Sequence, residues 1–313
     1  MSLASVIITM YNAEAFISAT LESLLQEHEV PLEVVLIDNG CTDASVERAR
    51  AVADERVRLL DGPGQGVARA LNQAIEAAQG EIIMRCDADD LFSAERIGRQ
   101  VRWLTEHPEF GAVCGNYATI DPKGRLINNF QCGKESEEVT EELRNGTTRT
   151  HLGTFAIRTE VLRSLGGFRE YFRLSEDIDM QLRIGDACRV WFLPEIDYYY
   201  RLHDQSITHS RRRKDIDFYD SMAHEFQRQR HQQGKDSVDL GCPPEPPPCT
   251  DESVVTTTEH SQGLLLGSAW VEHQAGRKRQ ALAMGWRSVM IQPRNAEVWR
   301  SLLALAVKPA GKG

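Results

Sequence analysis

The chain of 313 residues lacks features that define several classes of protein. It has no apolar run near the ~20 residues of a transmembrane helix. No basic segment with a cleavage site precedes the first apolar stretch, so the sequence predicts neither a membrane span nor a signal peptide. A net charge of −10 argues against a nucleic-acid surface, because such surfaces bind by neutralising phosphates. No Gly-x-Gly-x-x-Gly follows the first predicted strand, which excludes a dinucleotide-dependent dehydrogenase.

Cysteines are few and show no metal-binding pattern. They number seven, an odd count, and Cys86, Cys114 and Cys188 lie inside apolar segments. Cys242 and Cys249 flank a proline run, but no His or Cys partners complete a zinc site. The composition therefore predicts reduced thiols and a cytoplasmic location, with peripheral contact to a membrane left open.

The first half of the chain alternates predicted strands and helices. The apolar and periodic segments are strands at 4–9, 32–37, 57–60 and 82–87, and helices at 13–26 (with Asn12 as cap), 45–54, 67–78 and 95–107. Such units predict an α/β fold, a Rossmann-like sheet flanked by helices. In these sheets, ligands bind beyond the carboxyl ends of the strands.

The second half divides the chain into parts. Residues 121–150 are polar and are expected to form an irregular, mobile loop, and a short strand is predicted at 190–193. The proline-rich stretch 241–249 predicts a stiff linker. We therefore expect a first domain at 1–220, a linker at 221–260 and a helical extension at 261–313. Seven residues are assigned to the apolar faces of the extension, namely Leu264, Leu265, Ala269, Ala281, Ala283, Trp286 and Trp299.

Three carboxylates follow the fourth predicted strand, and they are Asp87, Asp89 and Asp90. Their mutual repulsion needs a cation, and hard oxygen ligands suit Mg²⁺ or Mn²⁺. A divalent ion held by one or two carboxylates is a common way to bind a diphosphate. Helix capping would explain one or two of these residues, but not three after a buried strand.

A second acidic cluster opens a predicted helix at 175–184. Glu176 and Asp177 stand where the helix dipole favours negative charge, so simple capping is the alternative to a catalytic role. Asp179 is assigned to capping or to the surface.

Two histidines lie near the same predicted edge. His203 follows an aromatic run beside Arg201, where it could reach a phosphate or a metal, although a lone histidine is more often structural. His151 could line the acceptor side of the site, and a role in packing is an equally good interpretation.

Six segments occur in a fixed order within residues 3–210. They are Val6-Ile-Ile-Thr-Met-Tyr-Asn12, Asp38-Asn-Gly-Cys-Thr-Asp43, Ala70-Leu-Asn72, Arg85-Cys-Asp-Ala-Asp-Asp90, Ser175-Glu-Asp177 and Tyr200-Arg-Leu-His203. Their order and spacing resemble family 2 glycosyltransferases with the GT-A fold. Residues 87–100 are similar to the bacterial surface-polysaccharide branch, and residues 235–313 lie outside the resemblance.

The resemblance implies transfer of a sugar from a nucleotide-diphospho-sugar to a hydroxyl of a saccharide or lipid-linked saccharide. It implies Mn²⁺ or Mg²⁺ as cofactor and inversion at the sugar. A UDP-sugar is the expected donor, although Asp38-Asn39 replaces the Asp-Asp of many members. Asparagine accepts a hydrogen bond but carries no charge.

The resemblance also implies roles for individual residues. Asp177 is the implied general base, and the implied metal ligands are Asp87, Asp89 and His203, with Asp89 as the direct ligand. The implied donor-binding residues are Thr9, Tyr11, Asn12, Asp38, Asn39, Arg85, Asp87, Ala88, Arg201 and His203.

Two alternatives remain. A sugar-nucleotide-binding protein without activity would be expected to lose Asp87, Asp89 or Asp177, which are intact. A nucleotidyltransferase would usually carry a glycine-rich, basic loop after the first strand, and residues 9–14 contain neither glycine nor a basic residue.

Overall fold

The computed structural model describes residues 2–64, 66–130, 132–203, 213–246, 257–274 and 276–310. These residues fall into two compact units. The first unit draws on 1–119, 131–201 and 215–248, and the second on 120–130, 202–214 and 249–313. Among the described helices, none has the length and apolarity needed to cross a membrane.

The first unit is built on a mixed sheet. In the described part of the chain the strands are β1 (Ala4–Met10), β2 (Leu32–Asp38), β3 (Val57–Asp61), β4 (Ile82–Arg85), β5 (Leu91–Phe92), β6 (Ala112–Ile120), β7 (Leu126–Phe130), β8 (Glu137–Glu138), β9 (Ala156–Arg158) and β10 (Val190–Arg201). Of these strands, β7 belongs to the second unit. The main order is β3-β2-β1-β4-β9-β6-β10-β5, and β8 pairs with β10. Strands β3, β2, β1 and β4 are parallel, whereas β9 runs antiparallel to β4 and β6. The predicted fold class is therefore confirmed.

Helices cover both faces of this sheet. They are α1 (Ile17–Leu25), α2 (Ser45–Val52), α3 (Val67–Ala77), α4 (Arg96–Glu106), α5 (Thr140–Arg144), α6 (Thr159–Ser164), α7 (Glu176–Ala187) and α8 (Arg213–Gln233). The helices of the second unit are α9 (Thr257–Gln274), α10 (Lys278–Ile291) and α11 (Ala296–Val307). Alternation along β1 produces two cores. Val6 and Ile8 pack in the core that contains Leu21 of α1, and Ile7 packs in the core that contains Leu71 of α3.

Two predicted boundaries differ from the structure on the carboxyl-terminal side of the sheet. Residues 121–150 are not irregular throughout, since β7, β8 and α5 lie within them. Strand β10 continues to Arg201 instead of ending at 193. Pro194 and Glu195 interrupt the apolar run that predicts the strand, but pairing of Tyr198 with Phe92 extends it.

The start of the predicted linker at residue 221 falls inside helix α8. Tyr219, Ala223 and Phe226 of this helix pack in a buried cluster with Phe172 and Leu182. Helix α8 is otherwise polar, so its single apolar stripe gives only a weak signal in the sequence. Of the proline-rich stretch, residues 247–249 lie outside the described residues.

The second unit contains helices α9, α10 and α11. Leu265, Ala269 and Ala281 are buried as predicted, and the side chain of Leu264 lies outside the described part. Trp286 and Trp299, assigned to apolar faces, are exposed, and Trp286 lies on a different side of α10 from the buried Ala281. Ala283, assigned to the same faces, is exposed as well.

Candidate active site

The carboxyl ends of three parallel strands meet at one edge of the sheet. Met10 of β1 pairs with Asp38 of β2, and Ile7 of β1 pairs with Arg85 of β4. Thr9 is a half-buried residue of β1 just before this edge. The loops that follow β1, β2 and β4 therefore leave the sheet where α/β proteins bind ligands.

Asp38 and Asn39 act differently at the end of β2. Asp38 Oδ1 accepts hydrogen bonds from the backbone N–H groups of Gly40 at 3.2 Å and Cys41 at 2.9 Å, so it closes the turn. Asn39 is buried, and its Oδ1 has no hydrogen-bond partner in the described part of the chain. A buried acceptor without a partner costs about 1–3 kcal/mol. A ligand N–H that reached Asn39 Oδ1 would remove this cost.

Asn12 joins the loop after β1 to the turn after β2. The sequence predicts Asn12 as a helix cap, but α1 begins only at Ile17. Instead, Asn12 has a left-handed backbone conformation with φ of 47°, and its Oδ1 accepts a hydrogen bond from the Thr42 N–H at 2.8 Å. Such conformations are uncommon outside glycine and concentrate at functional sites. The neighbouring Tyr11 is more than half exposed at this edge.

The acidic loop after β4 contains carboxylates of two kinds. Asp90 is fully buried, where its Oδ2 accepts a hydrogen bond from Tyr198 Oη at 2.6 Å and its Oδ1 accepts one from the Arg201 N–H at 2.7 Å. Burial, together with the carboxylates of Asp89 and Asp87, raises the pKa of Asp90 well above its ordinary value. Asp90 therefore anchors the loop to β10, whereas Asp87 and Asp89 stay partly exposed.

Backbone contacts hold the rest of this loop. The Ala88 carbonyl accepts a hydrogen bond from Thr20 Oγ1 at 3.0 Å. Arg201 Nε donates to the Asp89 carbonyl at 2.5 Å, and the Arg201 guanidinium lies 5.1 Å from the ring centroid of Phe16. The sequence assigns Arg201 and Ala88 to donor binding, and the structure brings both to the loop that carries the acidic pair.

Arg85 connects the acidic loop to helix α7. Its Nε lies 2.9 Å from Asp87 Oδ1, and its Nη1 lies 3.1 Å from Glu176 Oε1. Its guanidinium is 5.8 Å from the ring centroid of Phe168. Burial acts to lower the pKa of Arg85, but the carboxylates of Asp87, Glu176 and Asp177 outweigh it and raise the pKa. Arg85 thus places a permanent positive charge between the two acidic segments.

Helix α7 begins with the candidate base. Ser175, just before it, has a left-handed φ of 59°, and Glu176 and Asp177 are half-buried. Burial raises the pKa of both carboxyl groups, and Arg85 opposes this shift. Glu176 forms the ion pair with Arg85, whereas Asp177 forms no ion pair within the described residues. Asp177 is therefore the carboxylate better suited to accept a proton.

The expectation that Asp179 caps the helix or faces solvent is wrong. Asp179 is fully buried, with its Oδ2 2.8 Å from Arg183 Nε and its Oδ1 3.7 Å from Arg169 Nη1. Two arginines thus neutralise it inside the protein. The ion pair between Asp179 and Arg183 could have been predicted from the sequence, because residues four apart are neighbours on a helix.

His151 lies beside the acidic loop. Its ring centroid is 5.3 Å from that of Tyr198 and 5.5 Å from that of Tyr200. Its Nδ1 accepts a hydrogen bond from the Gly153 N–H at 3.0 Å. Burial lowers the pKa of His151 to about 4, against the attraction of Asp87. The imidazole is therefore neutral near pH 7 and carries its proton on Nε2, as a hydrogen-bond donor.

His203 lies two residues beyond the end of β10 and is buried. It belongs to the second unit, whereas Asp87 and Asp89 belong to the first. Its assignment to the metal or the diphosphate stays a prediction.

Two further residues to which the sequence assigns no role support the site. Tyr198 accepts a hydrogen bond from the Asp87 N–H at 3.2 Å while it donates to Asp90. Asn72 of α3 forms two hydrogen bonds with the backbone of Phe168, at 2.8 and 2.7 Å. A Cβ atom at Gly167 would lie 2.3 Å from Asn72 Oδ1, so this contact requires glycine. The Ala70-Leu-Asn72 segment stands out in the sequence, but its spacing does not predict the contact with Phe168, which lies 96 residues away.

A family model described as glycosyl transferase family 2 matches residues 5–173, more than half of the chain. The chain belongs to glycosyl transferase family 2. The match includes the loops after β1, β2 and β4, and it ends just before the start of α7. The recognition of the family from the sequence is therefore confirmed.

Relatives of this family 2 chain include named polysaccharide synthases. An uncharacterized glycosyltransferase of Haemophilus influenzae is 33% identical over 143 residues, which cover 45% of the chain and 57% of the relative. Chondroitin synthase of Pasteurella multocida is 28% identical over 203 residues, covering 64% of the chain and 21% of the synthase. The chain thus spans less than two thirds of the length of either relative.

A solved structure supports the same fold. The crystal structure of S. aureus TarS 1-349 in complex with UDP-GlcNAc superposes with a TM-score of 0.59, covering 97% of this chain and 90% of that one. The identity is 18%, so the similarity concerns the fold alone.

Proposed function

We propose that this family 2 protein transfers a sugar from a nucleotide-diphospho-sugar to a hydroxyl of a saccharide or lipid-linked saccharide acceptor. The observation that carries the proposal is the Arg85 bridge, which links Asp87 of the acidic loop to Glu176 at the start of α7. This bridge supports a proposed diphosphate site at Asp87 close to a proposed base at the start of α7. The relatives that include chondroitin synthase support a role in polysaccharide or glycoconjugate synthesis.

The residues of the acidic loop fit a Mg²⁺ or Mn²⁺ ion. Asp87 and Asp89 offer partly exposed carboxylate oxygens, the donor type that these ions prefer. We propose that one or two of these carboxylates hold the ion, with substrate phosphate and water as further ligands. When bound, the ion would neutralise charge on the leaving diphosphate as a Lewis acid.

Donor recognition is proposed for the loops after β1 and β2. The buried Asn39 Oδ1 can accept a hydrogen bond from a nucleobase N–H, as uracil offers. The exposed Tyr11 ring, in the loop after β1, offers a flat apolar surface on which a nucleobase can stack. A UDP-sugar is the favoured donor, and the UDP-GlcNAc named for the TarS structure supports this choice.

The chemical step is proposed as a single displacement. The acceptor oxygen forms a bond to the anomeric carbon while the bond from that carbon to the diphosphate oxygen breaks. The proton of the acceptor hydroxyl passes to the Asp177 carboxylate, and the nucleoside diphosphate leaves with the bonding electron pair. Attack opposite the leaving group inverts the anomeric centre. Asp177 suits this role because burial raises its pKa while Arg85 is already shared by Asp87 and Glu176.

A donor screen tests the proposal. Thermal unfolding is followed with UDP-, GDP- and dTDP-sugars, with and without Mn²⁺, since a ligand that binds the folded state raises its stability by mass action. We expect the largest rise in Tm with UDP-sugars plus Mn²⁺, and release of UDP when an acceptor saccharide is added. Equal Tm values with every nucleotide sugar would contradict the proposal. Stabilisation without turnover on any acceptor would favour a sugar-nucleotide-binding protein.

A further inference from the structure

Helices α10 and α11 expose large apolar side chains in an ordered pattern. The exposed fractions are 51% for Trp286, 60% for Met290, 38% for Trp299, 61% for Leu303 and 81% for Val307. Residues four apart lie on the same side of a helix, so these side chains form one exposed apolar stripe on each helix. The rings of Trp286 and Trp299 join the stripes, with centroids 5.9 Å apart and planes at 84°. We call these five residues the apolar face of α10–α11.

This face is separate from the core that holds the helices together. Ala281 of α10 and Leu305 of α11 are fully buried with Ala269 of α9. Ser288 Oγ donates a hydrogen bond to the Gln262 carbonyl at 3.0 Å, which fixes the inner side of α10 against α9. The helices have thus already buried one apolar side, and the apolar face is a second one.

The same region is strongly basic. Residues 276–310 contain seven Lys and Arg residues and a single acidic residue, Glu297, although the whole chain has a net charge of −10. Arg277 is paired with Glu272. Arg279 precedes Trp286 by seven residues and shares its side of α10, and Arg300 adjoins Trp299. Within the described residues, no carboxylate pairs with Arg279, Arg294 or Arg300.

We propose that the apolar face of α10–α11, with its surrounding arginines, docks on an anionic membrane surface. Tryptophan is enriched at membrane interfaces, and helices with apolar and basic side chains lie in the plane of anionic lipid headgroups. The positive charge is complementary to such headgroups, whereas the rest of the chain is acidic and would be repelled. The proposal does not rest on the proposed function.

Other partners fit the face less well. A nucleic acid would contact the arginines but leave Met290, Leu303 and Val307 in water. A second copy of this chain would cover the apolar stripes but would oppose one basic region to another, at a cost in charge repulsion. A lipid surface satisfies both the apolar and the basic groups.

Vesicle sedimentation tests the proposal with the full chain. The probes are vesicles of phosphatidylcholine alone and vesicles of phosphatidylcholine mixed with phosphatidylglycerol. We expect binding to the anionic vesicles at least ~10-fold tighter than to the neutral ones, weakening in high salt, together with a blue shift of tryptophan fluorescence. Equal binding to both vesicles, or none to either, would overturn the proposal.

Matched variants distinguish an effect of the apolar face of α10–α11 from the effect of any exposed apolar residue. Leu303→Glu should weaken binding to anionic vesicles by ~10-fold or more, since it puts a negative charge into the stripe. Leu240→Glu makes the same change at a leucine that is 58% exposed outside the face, and it should bind as the unchanged protein does. Arg300→Gln changes an exposed side chain, and it should weaken binding by a smaller factor and reduce its salt dependence. An equal loss in Leu240→Glu and Leu303→Glu would refute the assignment. A dimer in solution that Leu303→Glu dissociates, with no vesicle binding by the unchanged protein, would assign the face to a second copy instead.

Discussion

The acidic loop after β4 and the acidic start of α7 each contain a fully buried aspartate, but the two aspartates are stabilised by different kinds of partner. Each has partly exposed carboxylates at the sheet edge and one fully buried aspartate behind them. Asp90 is held by neutral donors, and its pKa is raised. Asp179 is held by two arginines. The buried aspartates therefore tie each segment to the fold by different means.

The largest effect should come from Asp177→Asn. Loss of a general base should lower kcat by roughly 10²–10⁴-fold while donor affinity stays nearly unchanged. Burial raises the pKa of Asp177, so this carboxyl group should lose its proton at a pH above the ordinary aspartate pKa of about 3.9. As it does so, kcat of the unchanged enzyme should rise, whereas kcat of the variant should not. Steady-state kinetics across pH measure both.

Glu176→Gln is the matched control, since Glu176 already pairs with Arg85. It should keep more activity than Asp177→Asn. An inactive Glu176→Gln beside a near-normal Asp177→Asn would transfer the role of base to Glu176.

The second-largest effect should come from removing the partly exposed carboxylate of Asp89 in the acidic loop after β4. Asp89→Ala should lower turnover by roughly 10²–10³-fold, the usual cost of losing one charge-stabilising group. Donor binding measured by calorimetry should lose its response to Mn²⁺, and circular dichroism should remain unchanged. Full activity of the unchanged enzyme in excess EDTA would refute the metal site.

The buried aspartate of α7 should govern stability more than activity. Asp179→Asn leaves the buried Arg183 without a counter-charge, which should lower the free energy of unfolding by roughly 3–5 kcal/mol. Arg169 keeps its ion pair with the buried Asp236. Urea unfolding measures this loss. Asp239→Asn removes a more exposed partner of the same Arg169 and should cost at most about 1 kcal/mol. Equal losses in the two variants would show that burial does not decide the outcome.

The smallest effect should be seen at Asp90. A raised pKa means that the folded state binds the proton more tightly than the unfolded state. The stability that this provides is complete below the unfolded pKa of about 3.9 and is lost as the pH rises through the folded pKa. Asp90→Asn should remove this contribution, so its urea midpoint should fall less with rising pH in metal-free buffer. Parallel curves for both proteins would contradict the raised pKa.

Local patterns predict the sheet and the edge where the site lies. The strands β1, β2 and β4 are continuous apolar runs, and the residues just beyond them must leave the sheet together. The contacts between distant segments could not be predicted in this way. Tyr198 and Asp90 are 108 residues apart, and nothing in the spacing along the chain links them.

The exposed tryptophans show a second limit of prediction from the sequence. Helix α10 has two apolar stripes, and periodicity does not say which one faces inward. Close packing selects small residues: a Cβ atom at Gly285 would lie 2.9 Å from Leu302 Cδ1, and the neighbouring Ala281 is fully buried. Trp286 is too large for that side, so it lies on the outer one.

The division of the chain into interleaved units has a consequence for synthesis. Residues 120–130 belong to the second unit, yet most of that unit is made only after residue 249. At ~5–20 residues per second, roughly 10–40 s separate translation of β7 from completion of α11. During that time the first unit can fold on the ribosome, while β7 still lacks the helices of its own unit, including the Arg287 side chain that donates to the Ile127 carbonyl. The emerging chain therefore passes through an interval in which β7 has been made but the helices of its own unit have not.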